Sequence, residues 1–168
     1  MNSKELFVRD TTVIKKSDNL FTAEVSDNWS IGNTANGGYS MTLAAKAMSE
    51  FLEHKDPLSI SAHYLDRVDF GATELHVTHL SSSKSLSTAR VELIQNNKIK
   101  IIFIGTFTDF SFKNDLNIYE RDVPSFPDYE SCEVIPYKEG FNPKLDKNIE
   151  KAYSCLLYTS DAADDLLC

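Results

Sequence analysis

The apolar residues of this chain follow a helical period in one stretch and a strand period in the long stretch after it, and this change of period constrains the fold most. Beyond Gly38, apolar side chains recur at the spacing of one helical face, at Met41, Ala44, Ala45, Met48 and Leu52. Three further apolar positions widen that stripe, at Leu43, Ala47 and Phe51. The pattern therefore predicts an amphipathic helix that is buried on more than one side.

The ends of this helix are marked by residues that start and stop helices. Asn36 or Thr34 can cap the first turn, because a short polar side chain accepts hydrogen bonds from the free N–H groups there. Pro57 cannot continue a helix, so we expect the helix to end between His54 and Asp56.

Four segments after Pro57 have the alternating pattern of β-strands. We predict strands at Ser59–Val68, Glu74–Ser82, Leu86–Gln95 and Ile99–Phe110. The in-phase side chains of the first three are Ile60, Ala62 and Tyr64, then Leu75, Val77 and His79, then Ala89, Val91 and Leu93. Asn96-Asn97 predicts a two-residue hairpin before the last strand. That strand is apolar on both faces, as expected of a central or interface strand.

Two shorter strands precede the helix. Thr12–Lys15 and Leu20–Val25 flank the turn residues Ser17-Asp18-Asn19, which predicts a hairpin. Residues Ser26–Asn36 are expected to form a loop that the indole of Trp29 pins in place. The order is then two strands, one long helix and four long antiparallel strands. It predicts an α+β protein of the hotdog type, with one long central helix wrapped by an antiparallel β-sheet.

Charge and cysteine content exclude several classes of function. The 168 residues carry a net charge of -8 and repel a phosphate backbone, so no nucleic acid partner is expected. No apolar run approaches the roughly 20 residues of a membrane-spanning helix. The N-terminus also lacks the apolar core of a signal peptide, so a cytoplasmic protein is expected. Cys132, Cys155 and Cys168 lack the spacing of a zinc site or a disulfide framework, and no metal site is expected.

Several motifs around the predicted helix and strands together resemble one family. Near the helix start these are Trp29-Ser30-Ile31-Gly32, Asn36-Gly37-Gly38-Tyr39 and Ala44-Ala45-Lys46-Ala47. In the strands they are Pro57–Leu65, Ser83–Asn96 and Phe103–Phe107. In this order they resemble the N-terminal hotdog domain of double-hotdog acyl-CoA thioesterases of the thioesterase II type. The chain departs from the family at Leu65-Asp66-Arg67-Val68, where Leu-Arg-Pro is usual, and at Ser83-Lys84-Ser85, where Gly-Arg-Ser is frequent.

The resemblance implies a division of the chain. Residues 1–110 are expected to form the hotdog domain, and the proline-rich residues 111–141 an extended linker. Residues 142–154 resemble the start of a second hotdog, here truncated. Residues 155–168 are expected to be a non-native tail, because Cys155 to Asp164 resemble the translation of a sequencing adapter. A short native helix from Asp161 to Leu167 is the alternative for this tail.

The resemblance also implies a reaction, the hydrolysis of acyl-CoA to a fatty acid and coenzyme A. Coenzyme A is then part of the substrate, and no separate cofactor is expected. The thioester carbonyl gains negative charge in the transition state, and the N–H groups at a helix start can stabilise it. Gly37 and Gly38 are the expected oxyanion donors, with Asn36 beside them, because glycine lets a ligand approach the backbone. A turn that merely requires flexible residues is the alternative.

Tyr39, His63 and Arg90 are the candidate substrate-binding residues. Tyr39 could cover the mouth of the pocket or pack in the core. His63 could contact the substrate or a partner sheet, or be structural. Arg90 could bind a phosphate of coenzyme A, or pair with a carboxylate on a neighbouring strand.

The buried face of the predicted helix carries no acid, since Glu50 and Glu53 are expected to face solvent. The resemblance places the catalytic carboxylate in the C-terminal half, so this chain is expected to lack part of the machinery. One alternative is a non-catalytic module that binds an acyl chain or a partner. An acyl-CoA hydratase or dehydratase is disfavoured, because no His-Asp pair lies near the helix start. The sheet, with Ile102 and Ile104 exposed, is expected to pair with the second hotdog half or with another copy.

Overall fold

The regular structure of the protein is a run of short elements, one long helix and four long strands. The computed structural model describes residues 3–111, 125 and 128–131. The elements before the long helix are α1 (Ser3–Asp10), β1 (Ile14–Lys15), β2 (Leu20–Val25), β3 (Ser30–Ile31) and β4 (Thr34–Ala35). The long helix and the strands after it are α2 (Gly37–Phe51), β5 (Asp56–Tyr64), β6 (Gly71–Ser82), β7 (Ser87–Gln95) and β8 (Lys98–Thr108).

The chain divides into two units, Met1–Lys113 and Asn114–Cys168. All of the elements above lie in the first unit. In the second, a single turn of 3-10 helix covers Tyr129–Ser131.

Helix α2 begins at the predicted cap. Asn36 has extended backbone angles, and its side chain accepts hydrogen bonds from the N–H groups of Gly38 and Tyr39. The helix ends at Phe51 because Leu52 returns to an extended conformation, which is earlier than the predicted end. The predicted helix and its Asn36 cap are therefore confirmed, with a shorter C-terminal turn.

Six strands form one antiparallel sheet in the order β1-β2-β6-β7-β8-β5. The turn between β7 and β8 has φ values of 53° at Asn96 and 58° at Asn97, the left-handed conformation of a two-residue hairpin. This confirms the predicted hairpin. Strand β8 lies between β7 and β5, as its apolar character on both faces predicted. Strand β5 is at one edge of the sheet and pairs with β8 alone.

The core lies between α2 and the inner face of the sheet. Its largest fully buried side chains include Leu43 and Met48 of the helix and Leu75, Leu93 and Phe103 of the strands. Gly105 lets the helix approach β8, because a Cβ atom there would lie 2.5 Å from the Sδ atom of Met48. One long helix cradled by an antiparallel sheet is the predicted α+β hotdog architecture, which is confirmed.

The structure adds helix α1, which the hydrophobic pattern did not predict. The ring of Phe7 in α1 meets the indole of Trp29 edge to face, with centroids 5.1 Å apart. The indole Nε1 of Trp29 donates to the carboxylate of Asp10 at 3.1 Å. Trp29 thus pins its loop as predicted, and α1 is its partner. That loop also contains the small β3–β4 hairpin.

All of the predicted strands except β2 differ in extent from the structure by one or more residues, and β5 differs most. Strand β5 ends at Tyr64 and not at Val68, because the N–H groups of Leu65 and Asp66 both donate to the carbonyl of Lys100 and turn the chain. Strand β6 carries Leu75 and Val77 in the core, but its register with β7 shifts between His79 and Ser81. His79, the third in-phase residue, is exposed.

Most of the predicted C-terminal features lie outside the described residues. These are the linker at 111–141, apart from Ser111, Ser125 and residues 128–131, the start of a second hotdog at 142–154, and the adapter-like tail at 155–168. The three cysteines also lie outside them. Neither helix in the described part of the chain has the length and apolar character needed to cross a membrane.

Candidate functional site

An open cleft of about 390 Å³ lies at the start of helix α2. Thr34 and Ala35 of β4 line it together with Gly37, the first residue of the helix. The end of β5 and the loop after it contribute Tyr64, Leu65, Asp66, Arg67 and Val68, and β8 contributes Ile101. The fold therefore brings apolar, polar and charged side chains together beside the glycines that the sequence singled out.

The walls of this cleft are tied to each other by hydrogen bonds. The carbonyl of Val68 accepts from the N–H of Ala35 at 3.1 Å and from the hydroxyl of Thr34 at 2.9 Å. On the other side of the loop, the buried amide of Gln95 donates to the carbonyl of Asp69 at 2.8 Å. The loop after β5 is thus fixed to both β4 and β7.

The first amides of helix α2 are not equally available to a ligand. The N–H of Gly38 donates to Asn36 Oδ1 at 2.8 Å, and the N–H of Tyr39 donates to the same oxygen at 3.3 Å. Within residues 3–111, the N–H of Gly37 has no hydrogen-bond partner, and Gly37 lines the cleft. Of the two expected oxyanion donors, the structure leaves Gly37 open and engages Gly38 in the cap.

Among the described residues, Asp66 is the one carboxylate that lines the cleft, and it is paired with two lysines. Its Oδ2 atom lies 2.8 Å from Nζ of Lys98 and 3.2 Å from Nζ of Lys100. The hydrogen bond from Lys98, followed by those from the N–H of Arg67 and from Lys100, holds the pKa of Asp66 well below its usual range. Asp66 therefore stays ionised in the cleft.

Tyr39 lies in the core and does not line the cleft. Its hydroxyl donates to the carbonyl of Asp10 at 2.7 Å and accepts from the N–H of Ser26 at 3.0 Å. Its ring stacks on Trp29, with centroids 6.2 Å apart. These contacts favour the packing alternative for Tyr39, and its hydroxyl joins α1 and β2 to the long helix.

His63 and Arg90 lie on the outer face of the sheet, away from the cleft. His63 is exposed on β5, where its neighbour Tyr64 points to the inner face. The guanidinium of Arg90 pairs with the carboxylate of Glu92, two residues along the same strand. The expected carboxylate partner thus exists, but it is on β7 itself and not on a neighbouring strand. Arg90 Nε is buried without a partner among the described residues.

Tyr64 and Arg67 were not among the site residues predicted from the sequence. Both line the cleft with Gly37, and both are exposed. The sequence feature that could have pointed to this part of the cleft is Leu65-Asp66-Arg67-Val68, where the chain departs from the family pattern. Glu50 on α2 and Glu53 just after it are both exposed, as expected. Over the described residues, no group of three or more His, Cys, Asp or Glu side chains is placed to hold a metal ion.

Comparison with known protein families shows which family the chain belongs to. Residues 25–109, just over half of the chain, match the family described as the acyl-CoA thioesterase N-terminal domain. The chain belongs to this family. The matched range begins in β2, spans α2 and the cleft, and ends just after β8.

Several solved structures are similar to this chain in fold. A protein from Thermobifida fusca described as a thioesterase II is 21% identical, with a TM-score of 0.73 over 80% of this chain and 50% of its own. A hot dog fold protein from Alicyclobacillus acidocaldarius is 12% identical, with a TM-score of 0.69 over 79% of this chain and 49% of its own. The acyl-CoA thioesterase II of Mycobacterium marinum is 14% identical, with a TM-score of 0.60 over 76% and 47%.

This chain therefore spans about half the length of the first two of these relatives. No curated protein matches the sequence. Membership of this family supports a thioesterase-like function. These three solved structures are all less than 25% identical to this chain, so their similarity shows only that the fold is shared.

Proposed function

We propose that this chain is the N-terminal part of an acyl-CoA thioesterase and that its cleft binds the thioester of the substrate. Gly37 carries the proposal. It is the first residue of α2, it lines the cleft, and its N–H has no partner within residues 3–111. A free N–H at a helix start carries part of the positive end of the helix dipole. Donors of this kind stabilise the negative charge that develops on a thioester carbonyl.

Hydrolysis also requires a base that activates water. Asp66 is a poor base, because its lysine partners lower its pKa and so weaken its affinity for a proton. We propose that the base belongs to the part of the protein that the longer relatives carry beyond the matched half. Gly37 then contributes to the binding of the carbonyl, and the attacking water is activated from outside the described residues.

Arg67 is the residue that we propose for the anionic part of coenzyme A. It lines the cleft, it is exposed, and its guanidinium has no ion pair among the residues the structure describes. Arg90, the candidate from the sequence, is paired with Glu92 on the outer face. A guanidinium beside the helix start suits a phosphate, because it can donate two parallel hydrogen bonds to it.

A non-catalytic acyl-CoA-binding module is the second candidate, and the paired state of Asp66 favours it. The two functions differ in one measurement, the release of free thiol from acyl-CoA. A chain that binds an acyl-CoA analogue and releases no thiol, alone or joined to a second half like that of the longer relatives, would be a binding module.

Gly37→Pro tests the role of the free amide directly. Proline is favourable at the first position of a helix, and Asn36 already has the extended backbone that precedes proline. The substitution therefore removes the N–H while the helix is retained. Gly37→Ala is the matched control, because it adds a Cβ atom that crowds Tyr64 but keeps the N–H.

The ligand for this test is a ketone analogue of acyl-CoA, in which a methylene group replaces the sulfur and the carbonyl remains. We expect Gly37→Pro to weaken its binding in calorimetry roughly threefold to tenfold more than Gly37→Ala does, the value of one hydrogen bond. Equal affinities of the two variants would contradict the proposed role of Gly37.

The free edge of β5 is the proposed site of a second hotdog unit. No Lys, Arg, Asp or Glu lies between Leu58 and Tyr64, and these two residues are exposed. The register of β5 with β8 shifts between Pro57 and Ser59, but beyond that irregularity the strand has none of the charges that usually protect an unpaired sheet edge. We propose that the partner unit is the other half of a longer chain or, without it, a second copy of this one.

A further inference from the structure

Tyr64 occupies a fixed position on the inner face of the sheet, at the end of the edge strand. It pairs with Ile101 of β8 in the register of the two strands, and both residues line the cleft. The chain after Tyr64 is held by the N–H groups of Leu65 and Asp66, which donate to the carbonyl of Lys100 at 2.9 and 3.0 Å. The backbone of Tyr64 is thus anchored, although 55% of the residue is exposed.

The side chain of Tyr64 extends across the first residue of helix α2. A Cβ atom built on Gly37 would lie 2.8 Å from the phenol oxygen and 3.0 Å from the Cε1 and Cζ atoms of the ring. Such contacts are closer than van der Waals separation, so the phenol takes this position because residue 37 has no side chain. The hydroxyl therefore lies close to Gly37, the residue whose amide the proposed function assigns to the thioester carbonyl.

The helix start offers fewer backbone donors than the sequence indicated. Asn36 Oδ1 engages the N–H groups of Gly38 and Tyr39, which leaves the N–H of Gly37. An oxyanion site generally combines two or more donors, because one hydrogen bond stabilises the developing charge only in part. Among residues 3–111, the Tyr64 hydroxyl has no hydrogen-bond partner, so its proton is available to a ligand in the cleft.

We propose that the Tyr64 hydroxyl is the second hydrogen-bond donor to the acyl carbonyl, acting together with the N–H of Gly37. The inference rests on the proposed function and deepens it, since it replaces the engaged amide of Gly38 with a side chain that the sequence analysis did not select. The phenol keeps its proton throughout and only shares it with the carbonyl oxygen. Tyr64 is in this sense a catalytic residue that touches the reacting group.

The proposal differs from simple packing in what the oxygen atom does. Tyr64→Phe removes the oxygen and keeps the ring over Gly37, so a packing role predicts no change in ligand recognition. Two ligands separate the carbonyl from the rest of the molecule. One is the ketone analogue of acyl-CoA, and the other is the matching S-alkyl coenzyme A thioether, which has no carbonyl. The ratio of their affinities reports the hydrogen bonds to the carbonyl alone.

The experiment measures both affinities by calorimetry, for the chain and for Tyr64→Phe. We expect the chain to bind the ketone more tightly than the thioether, and Tyr64→Phe to reduce that ratio roughly threefold to tenfold. The thioether affinity should not change. Site-specific incorporation of 3-fluorotyrosine at position 64 should raise the ratio, because a more acidic phenol is a stronger donor.

Each outcome is decisive. If the chain prefers the ketone and Tyr64→Phe keeps the full preference, Tyr64 is not a donor, and the role of Gly37 stands. If the chain binds neither ligand, or binds both equally, the proposed function of the cleft fails, and the assignment of Tyr64 fails with it. If Tyr64→Phe does not fold, the hydroxyl is required by the fold, which contradicts the proposal that it is available to the ligand.

Discussion

Asn36 Oδ1 accepts a hydrogen bond of 2.8 Å from the N–H of Gly38, so the residue that starts helix α2 also engages one of the amides beside the cleft. The bond satisfies a donor that has no partner inside the helix. It also leaves the N–H of Gly37 as the open backbone donor at this end. Under the proposed function, Asn36 and Gly38 form the cap, and Gly37 beside them is left to bind the ligand.

The cap should contribute measurably to stability. We expect Asn36→Ala to lower the free energy of unfolding by about 1 kcal/mol, because Gly38 and Tyr39 lose their acceptor. Asn36→Ser and Asn36→Asp should stay close to the original protein, since both side chains cap helices equally well. Urea denaturation followed by the fluorescence of Trp29, the one tryptophan, measures the difference. An alanine variant as stable as the serine variant would show that Asn36 does not act as a cap.

The ion pairs of Asp66 should make part of the stability depend on pH in the acid range. Its pKa is lowered from 3.8 in the folded protein, chiefly by Lys98, so folding favours the ionised form. The stability that Asp66 contributes is present above its unfolded pKa and is lost as the pH falls below it towards the lower folded value. We expect Asp66→Asn to be less stable than the original protein at pH 7, and the difference to shrink below about pH 4.

The control for Asp66 is Asp18→Asn, at an exposed turn carboxylate that has no ion pair in the described part of the chain. Its effect on stability should be small throughout. Thermal or urea unfolding between pH 7 and pH 2 gives both curves. If the free energies of unfolding of Asp66→Asn and the original protein differ by the same amount over that pH range, the lowered pKa assigned to Asp66 is contradicted.

The hotdog architecture could be predicted because its periodicity is local. Leu43, Ala44 and Met48 of α2 and Val91 and Leu93 of β7 are buried as their spacing predicts. Helix α1 could not be predicted in the same way, because it has only eight residues and its three apolar side chains are consecutive. Its supports are contacts with distant residues, such as Trp29 with Phe7 and Asp10.

Part of the candidate site could also be predicted from a local sequence pattern. The Asn36-Gly37-Gly38 start is a local signal, and the structure places Gly37 in a cleft. Tyr64 reaches that cleft only through the pairing of β5 with β8, which no local pattern specifies. For Tyr39 the sequence left both the pocket mouth and the core open. Its hydrogen bonds to Asp10 and Ser26, which are distant in the sequence, place it in the core.

Arg67 and Arg90 should differ in their effect on ligand binding. We expect Arg67→Ala to weaken the binding of coenzyme A about twofold to fivefold at low ionic strength, the effect of an exposed ionic contact. Added salt should reduce that difference. Arg90→Ala is the matched control, because Arg90 lies on the outer face beside Glu92, and its effect should be negligible. A larger loss from Arg90→Ala would place the phosphate site on the outer face.

His54 should be held in one tautomer by a chain of hydrogen bonds beyond the C-terminal end of α2. Its Nε2 lies 3.3 Å from the carbonyl of Lys84, which can only accept, so Nε2 carries the proton. Its Nδ1 then accepts from the hydroxyl of Ser87 at 2.6 Å. Nitrogen NMR of the ring should show the Nε2–H form. The reverse tautomer would contradict this geometry.

Ser87→Ala tests how much the hydrogen bond between Ser87 and His54 contributes to the free energy of unfolding. Both residues are buried, so we expect the loss of the hydroxyl to cost about 1–3 kcal/mol, the penalty of an unsatisfied polar group. Ser81→Ala, at an exposed position on β6, should change the stability by less than about 0.5 kcal/mol.

The edge of β5 should determine how this chain associates. If a second copy pairs with that edge, Ser61→Lys places two positive charges near each other across the new strand pair and should weaken association by about tenfold or more. Thr78→Lys is the matched control, because it adds the same charge to the exposed face of β6, a strand inside the sheet.

Ile104→Lys probes the outer face itself, where Ile104 is 38% exposed. Sedimentation velocity over a range of concentrations measures all three variants. Dissociation caused by Ser61→Lys alone assigns the contact to the edge, whereas dissociation caused by Ile104→Lys and Thr78→Lys assigns it to the outer face and contradicts the proposed pairing.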